Sequence, residues 1–151
     1  MPHTIFYFDD DAAQLEVFRE MLGESYDVHV ATTVAEARRV LAECDFDIII
    51  SDHKMPEIDG TEFLLEAAAV CPSSFRMLLT GAITVGEVLP QVGAGVVHLF
   101  MPKPWSEHEM REALERAVAS LDVERGGRQG RKSRAGGGGR KKPAWLILLG
   151  F

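Results

Sequence analysis

The sequence predicts an α/β fold, doubly wound, with a parallel sheet covered by helices on both faces. Three observations predict it. Short apolar runs and segments of helical spacing alternate five times over residues 1–121. The third apolar run, residues 46–51, is nearly continuous, as expected of a strand buried on both faces. Polar residues capable of chemistry gather at the carboxyl ends of these runs, where open parallel sheets bind ligands.

In chain order, the first strand is Ile5-Phe6-Tyr7-Phe8, and after it Leu15, Phe18 and Leu22 share one helix face. Residues 26–31 form the second strand. A helix follows with Val34, Ala37 and Leu41 on one stripe, opened by Thr33 and Glu36 at capping-box spacing. Strands at 46–51, 75–80 and 96–101 complete the sheet. The fourth helix, residues 84–92, contains Gly86 and Pro90. In a helix interior these cost about 1 and about 3 kcal/mol relative to Ala, so a short, kinked or frayed segment is predicted. Met110, Ala113, Leu114, Ala117, Val118 and Leu121 give the last helix its apolar stripe, and Ser106 with Glu109 repeats the capping-box spacing.

A chain of 151 residues suits one domain, assigned to residues 1–122. With 46% apolar and 26% charged residues it has the composition of a globular protein that folds without disulfides or structural metal. Cys44 and Cys71 show no metal-ligand spacing and read as reduced thiols, and no apolar stretch reaches the roughly 20 residues of a membrane span. A cytoplasmic location is expected. All 23 acidic residues but only 8 of the 16 basic ones lie in residues 1–124, which gives that part a net charge of −15. The remaining basic residues lie among glycines, so 123–143 is expected to be a disordered linker, followed by a short apolar tail, 144–151.

Four strand ends supply the candidate site: Asp9-Asp10-Asp11, Ser51-Asp52, Thr80-Gly81 and Met101-Pro102-Lys103-Pro104. Taken singly, each has an ordinary explanation. The three acids could be a solvated turn in which one Asp caps the first helix, and Asp11, three residues before Gln14, suits that cap. Asp52 could be a turn residue, Thr80 a β-former and Lys103 a surface cation. Together they converge on one edge of one sheet. Several carboxylates there must either rise in pKa or share a cation, and hard oxygen ligands suit Mg2+. His53 follows Asp52, and side chains alternate at a strand end, so it is expected to face away from the carboxylate; His29 and His98 lack ligand spacing, and His3 and His108 read as exposed.

Phe8-Asp9-Asp10, the run Ser51-Asp52-His53-Lys54-Met55-Pro56-Glu57-Ile58-Asp59-Gly60, Leu79-Thr80-Gly81 and Lys103-Pro104-Trp105 resemble the receiver domains of two-component response regulators. The resemblance spans about residues 4–121. It implies a flavodoxin-like sheet of five parallel strands in the order 2-1-3-4-5, a topology for which a chemotaxis receiver is a standard example. It also implies that Asp52 is the phosphoacceptor, that Asp9, Asp10, Asp52 and the backbone carbonyl of Lys54 hold Mg2+, and that Lys103 binds the phosphoryl group. Thr80 is then the switch hydroxyl and Phe100 the aromatic switch. The implied donor is a histidine kinase or histidine phosphotransfer protein, since none of the histidines here suits a nucleophile. The output surface, for an effector or a second copy, would be formed by the fourth helix, fifth strand and last helix. Direct nucleic-acid binding by the receiver and a membrane span are not expected. Such a protein is a regulator that assists its own phosphorylation and dephosphorylation, not an enzyme acting on a separate substrate. Two rivals remain at this stage: a receiver serving only as a binding module, and a Mg2+-dependent hydrolase with an aspartyl-phosphate intermediate. A hydrolase is expected to carry an acid two residues after the nucleophile, where this sequence has Lys54.

Overall fold

In a computed structural model, residues 2–43, 45–81, 90 and 94–130 are described. They form β1 (Thr4–Phe8), α1 (Ala12–Leu22), β2 (Asp27–Ala31), α2 (Val34–Glu43), β3 (Ile48–Asp52), α3 (Gly60–Val70), β4 (Phe75–Thr80), β5 (Leu99–Pro102) and the last helix, α4 (Glu107–Gly130). All four strand pairings are parallel, and the order is β2-β1-β3-β4-β5, as expected.

Side chains alternate across the strands, so each strand feeds two cores. Phe6, Phe8, Ile49 and Leu78 face α2 and α3, packing with Val34, Ala37, Leu41, Phe63, Leu64 and Ala67. Ile5, Tyr7, Ile48, Ile50, Met77, Leu79 and Leu99 face α1 and α4, where Leu15, Phe18, Leu22, Met110, Leu114 and Leu121 cover them. β3 and β4 are buried along their whole length, which explains the unbroken apolar run of the third strand. The helix starts read from sequence are present. Asp11 accepts from the amides of Ala13 and Gln14, Thr33 Oγ1 from that of Glu36, and Ser106 Oγ from that of Glu109 while donating to its carboxylate.

Several boundaries differ from expectation, and two of the shifts are small: β1 gains Thr4, and β3 runs over Ile48–Asp52 instead of 46–51. Tyr26 donates its amide to Leu22 O and so belongs to the turn leaving α1, and β2 starts one residue later. Val96 and Val97 are buried but lie outside the ladder. β5 begins at Leu99, because Arg76 reaches from β4 to hold the preceding segment, donating to the carbonyls of Val96 and Gly95 and also to those of Cys71 and Ser74. The last helix runs to Gly130, past the boundary set at 122 and into the segment expected as linker. A helix already docked through Met110 to Leu121 extends cheaply, since propagation fixes one residue per added hydrogen bond. The rest of that segment, the tail at 144–151 and most of the expected fourth helix lie outside the described residues. Among the described residues, no helix is long and apolar enough to cross a membrane.

Candidate functional site

The site is built on the carboxyl edge of the sheet, along which β1, β3, β4 and β5 end in that order. Asp9 lies two residues beyond Tyr7 and Asp52 two beyond Ile50, so both share the parity of the residues facing α1 and α4. Lys103, two residues past Met101, has the same parity. The Lys103-Pro104 peptide is cis.

These residues meet. Lys103 Nζ lies 2.7 Å from Asp52 Oδ1 and 3.5 Å from Asp9 Oδ2. Carboxylate oxygens of Asp9, Asp10 and Asp52 lie within 4.8 Å of one another. Asp9 is fully buried, Asp52 is 8% exposed and Asp10 is open to solvent. Burial and the neighbouring Asp9 charge raise the Asp52 pKa, with the Lys103 ammonium opposing them. Burial works against the charged form of Lys103, but its hydrogen bond to Asp52 and the charge of Asp9 outweigh that and raise its pKa. The resulting cluster is rich in negative charge and holds one cation within reach.

A divalent cation fits this donor set. Three carboxylates close enough to share an ion, one of them exposed so that waters can complete the shell, are the hard oxygen ligands that Mg2+ takes. Asp11 is excluded from the cluster because its carboxylate caps α1.

Thr80 is buried at the end of β4, paired with Pro102, and its backbone carbonyl accepts the Lys103 amide at 2.6 Å. It shares the parity of Leu78, whose register partner on β5 is Phe100, so Thr80 and Phe100 belong to the α2–α3 side of the sheet. Phe100 is half-buried against that core. The Lys54 side chain is exposed.

Two contributors escaped the sequence reading. Tyr7 donates its hydroxyl to Asp9 Oδ2 at 2.9 Å, and burial together with the Asp9 charge pushes its pKa far up, so the phenol keeps its proton. Gly60 donates its amide to His53 O at 2.7 Å, bringing the start of α3 so near β3 that a Cβ at this position would lie 2.1 Å from Asp52 O.

The response regulator receiver domain family model matches residues 5–115. The hydrogenase transcriptional regulatory protein HoxA of Cupriavidus necator is 26% identical over 121 residues, covering 80% of this chain and 25% of HoxA. The transcriptional regulatory protein GlrR of Escherichia coli is 29% identical over 118 residues, covering 78% of this chain and 26% of GlrR. The chain therefore spans about a quarter of the length of the regulators it matches. Among solved structures, a CheY-like response regulator receiver domain from Methanospirillum hungatei superposes with a TM-score of 0.77 at 25% identity, covering 82% of this chain and 99% of that one. The receiver domain of an HD domain-containing protein from Pseudomonas fluorescens gives 0.75 at 26% identity, covering 82% and 99%. With the family match running from β1 into α4 and this sheet order beneath it, the chain belongs to the response regulator receiver domains, which are signalling modules of two-component systems and not classical enzymes.

Proposed function

We propose that this domain is a phosphorylation-activated switch in which Asp52 accepts a phosphoryl group, in the presence of Mg2+, from a phosphohistidine on a histidine kinase or phosphotransfer protein. The observation that carries this reading is the 2.7 Å contact of Lys103 Nζ with Asp52 Oδ1 inside a cluster of three carboxylates. An Asp52 oxygen attacks phosphorus in line, the new O–P bond forms as the donor N–P bond breaks, and the imidazole departs. Nucleophile and phosphoryl group are both anionic, so catalysis consists of neutralising and positioning charge. Lys103 exchanges its contact with Asp52 for one with the incoming phosphoryl oxygens. Asp9, Asp10, Asp52 and the Lys54 carbonyl would hold Mg2+, which supplies further positive charge at those oxygens.

In the same reading Thr80 turns its hydroxyl to a phosphoryl oxygen and Phe100 fills the space it leaves. Phe100 has no hydroxyl to pair, so apolar burial drives its movement. The output is a changed surface around β5 and α4 for an effector or a second copy. The hydrolase alternative finds no support, since the position two residues after Asp52 carries the exposed Lys54. Acetyl phosphate with Mg2+ should add one phosphoryl group to the intact chain, and EDTA or Asp52→Ala should abolish the addition. Undiminished labelling of the variant would refute the assignment.

A further inference from the structure

We infer that Tyr7 is a positioning residue of this site, whose hydroxyl fixes the Asp9 carboxylate for the cation and reserves Lys103 for Asp52. The inference rests on Asp9 being a metal ligand, as proposed above. Three donors approach the two oxygens of Asp9. The Asp11 amide takes Oδ1 at 3.0 Å, the Tyr7 hydroxyl takes Oδ2 at 2.9 Å, and Lys103 Nζ stands off from the same Oδ2 at 3.5 Å. That ammonium lies 2.7 Å from Asp52 instead. The Asp9 side chain is only 1% exposed, so water cannot readily stand in for a lost donor. Each carboxylate oxygen has a second lone pair, which leaves Asp9 able to bind a cation while both of these hydrogen bonds persist.

Packing alone does not explain a tyrosine here. The other buried members of its core cluster are aliphatic, phenylalanine or methionine, and a phenylalanine would fill the same space. A buried hydroxyl costs free energy unless it is bonded, and this one is spent on Asp9. Its aim is fixed by the ring, which meets Phe18 edge-on with centroids 5.0 Å apart. Phe18 in turn meets Trp105 at 6.0 Å, two residues beyond Lys103. The same stack thus braces β1, α1 and the segment that carries the lysine. Without the hydroxyl, Lys103 is, among the described residues, the remaining side-chain donor near Asp9 Oδ2 and is drawn toward it, away from Asp52. Carboxylate ligands held by outer hydrogen bonds typically lose about 10–100-fold in metal affinity when the partner is removed.

Calorimetric titration of Mg2+ into the whole chain and into Tyr7→Phe tests this. The variant should melt within about 5 °C of the unaltered chain in EDTA, because its ring is retained, yet bind Mg2+ about tenfold more weakly. Equal affinity in the two chains overturns the inference alone, whereas no uptake by the unaltered chain overturns the metal reading and this inference with it. A second measurement does not depend on the variant folding. The chain has only two tyrosines, so 3-fluorotyrosine gives two 19F resonances, and Mg2+ should shift that of Tyr7 and leave that of Tyr26 in place. A Tyr7 resonance that stays fixed at saturating Mg2+ overturns the inference.

Discussion

Gly60→Ala should destabilise the domain and disturb the site together, although alanine is the better helix residue. The added Cβ would lie 2.1 Å from Asp52 O and 2.7 Å from Leu78 Cδ1. The first of these is roughly 1.4 Å short of an ordinary contact of about 3.5 Å, and backbone cannot rotate away as a side chain can. Relief requires α3 to withdraw from β3, which stretches the 2.7 Å bond from the Gly60 amide to His53 O. Overpacking of this kind costs about 1–3 kcal/mol and a weakened hydrogen bond about 1 more. Against this stands about 0.5–1 kcal/mol gained by restricting the unfolded chain. The clash wins, with a net loss of about 2–3 kcal/mol and a fall in Tm of roughly 10–15 °C. Differential scanning calorimetry measures it. Gly81→Ala is the control, since nothing among the described residues lies within 4 Å of where its Cβ would stand, and it should melt within about 2 °C of the unaltered protein. Phosphorylation of Gly60→Ala by acetyl phosphate should also slow, because the displaced atom belongs to Asp52. A Tm equal to or above that of the unaltered protein would refute the steric argument.

Two further outcomes follow from the charges. Asp52 has a raised pKa in the folded state, so its ionisation costs stability as pH rises through that value. Asp52→Asn should therefore raise Tm by a few degrees at neutral pH in EDTA, with the gain shrinking in acid and on adding Mg2+; a lower Tm in EDTA would contradict this. His98, half-buried and accepting the Arg76 amide on Nδ1, has its pKa lowered from 6.5 to about 4 by desolvation and by the Arg76 charge. Its depressed pKa contributes stability fully present above pH 6.5 and lost as pH falls toward 4. At about 1.4 kcal/mol per pH unit this amounts to an upper bound of about 3.5 kcal/mol. The stability difference between the unaltered protein and His98→Gln in urea titrations should shrink over that interval, and a constant difference would refute it.

The sheet and the acids at its edge were legible because their signals are local. An apolar run marks a buried strand, and strand-end carboxylates converge in a parallel sheet whatever the loops do. Asp11 could be separated from Asp9 and Asp10 by spacing alone, since a cap three residues before Gln14 is a short-range relation. What sequence concealed depends on distance across the fold. Tyr7 reads as one more apolar residue of β1, and its hydroxyl acquires meaning only when the strand parity aims it at Asp9. Gly60 stands in a recognisable motif, but its need to lack a Cβ comes from the approach of α3 to β3. Arg76, in the middle of an apolar run, gives no hint that its guanidinium holds the carbonyls of Gly95 and Val96, which is why Val96 and Val97 looked like strand. The end of the last helix was misjudged because glycine and basic residues suggest a linker, whereas a docked helix propagates through them.

The most direct test of the central claim is to find where the phosphoryl group goes. The protein is incubated with acetyl phosphate and Mg2+, the acyl phosphate is reduced with borohydride, and the peptides are read by mass spectrometry. The account predicts homoserine at position 52 and at no other aspartate, with none formed when EDTA replaces Mg2+. Homoserine at position 9 or 10, or labelling elsewhere in the chain that survives Asp52→Ala, would contradict it.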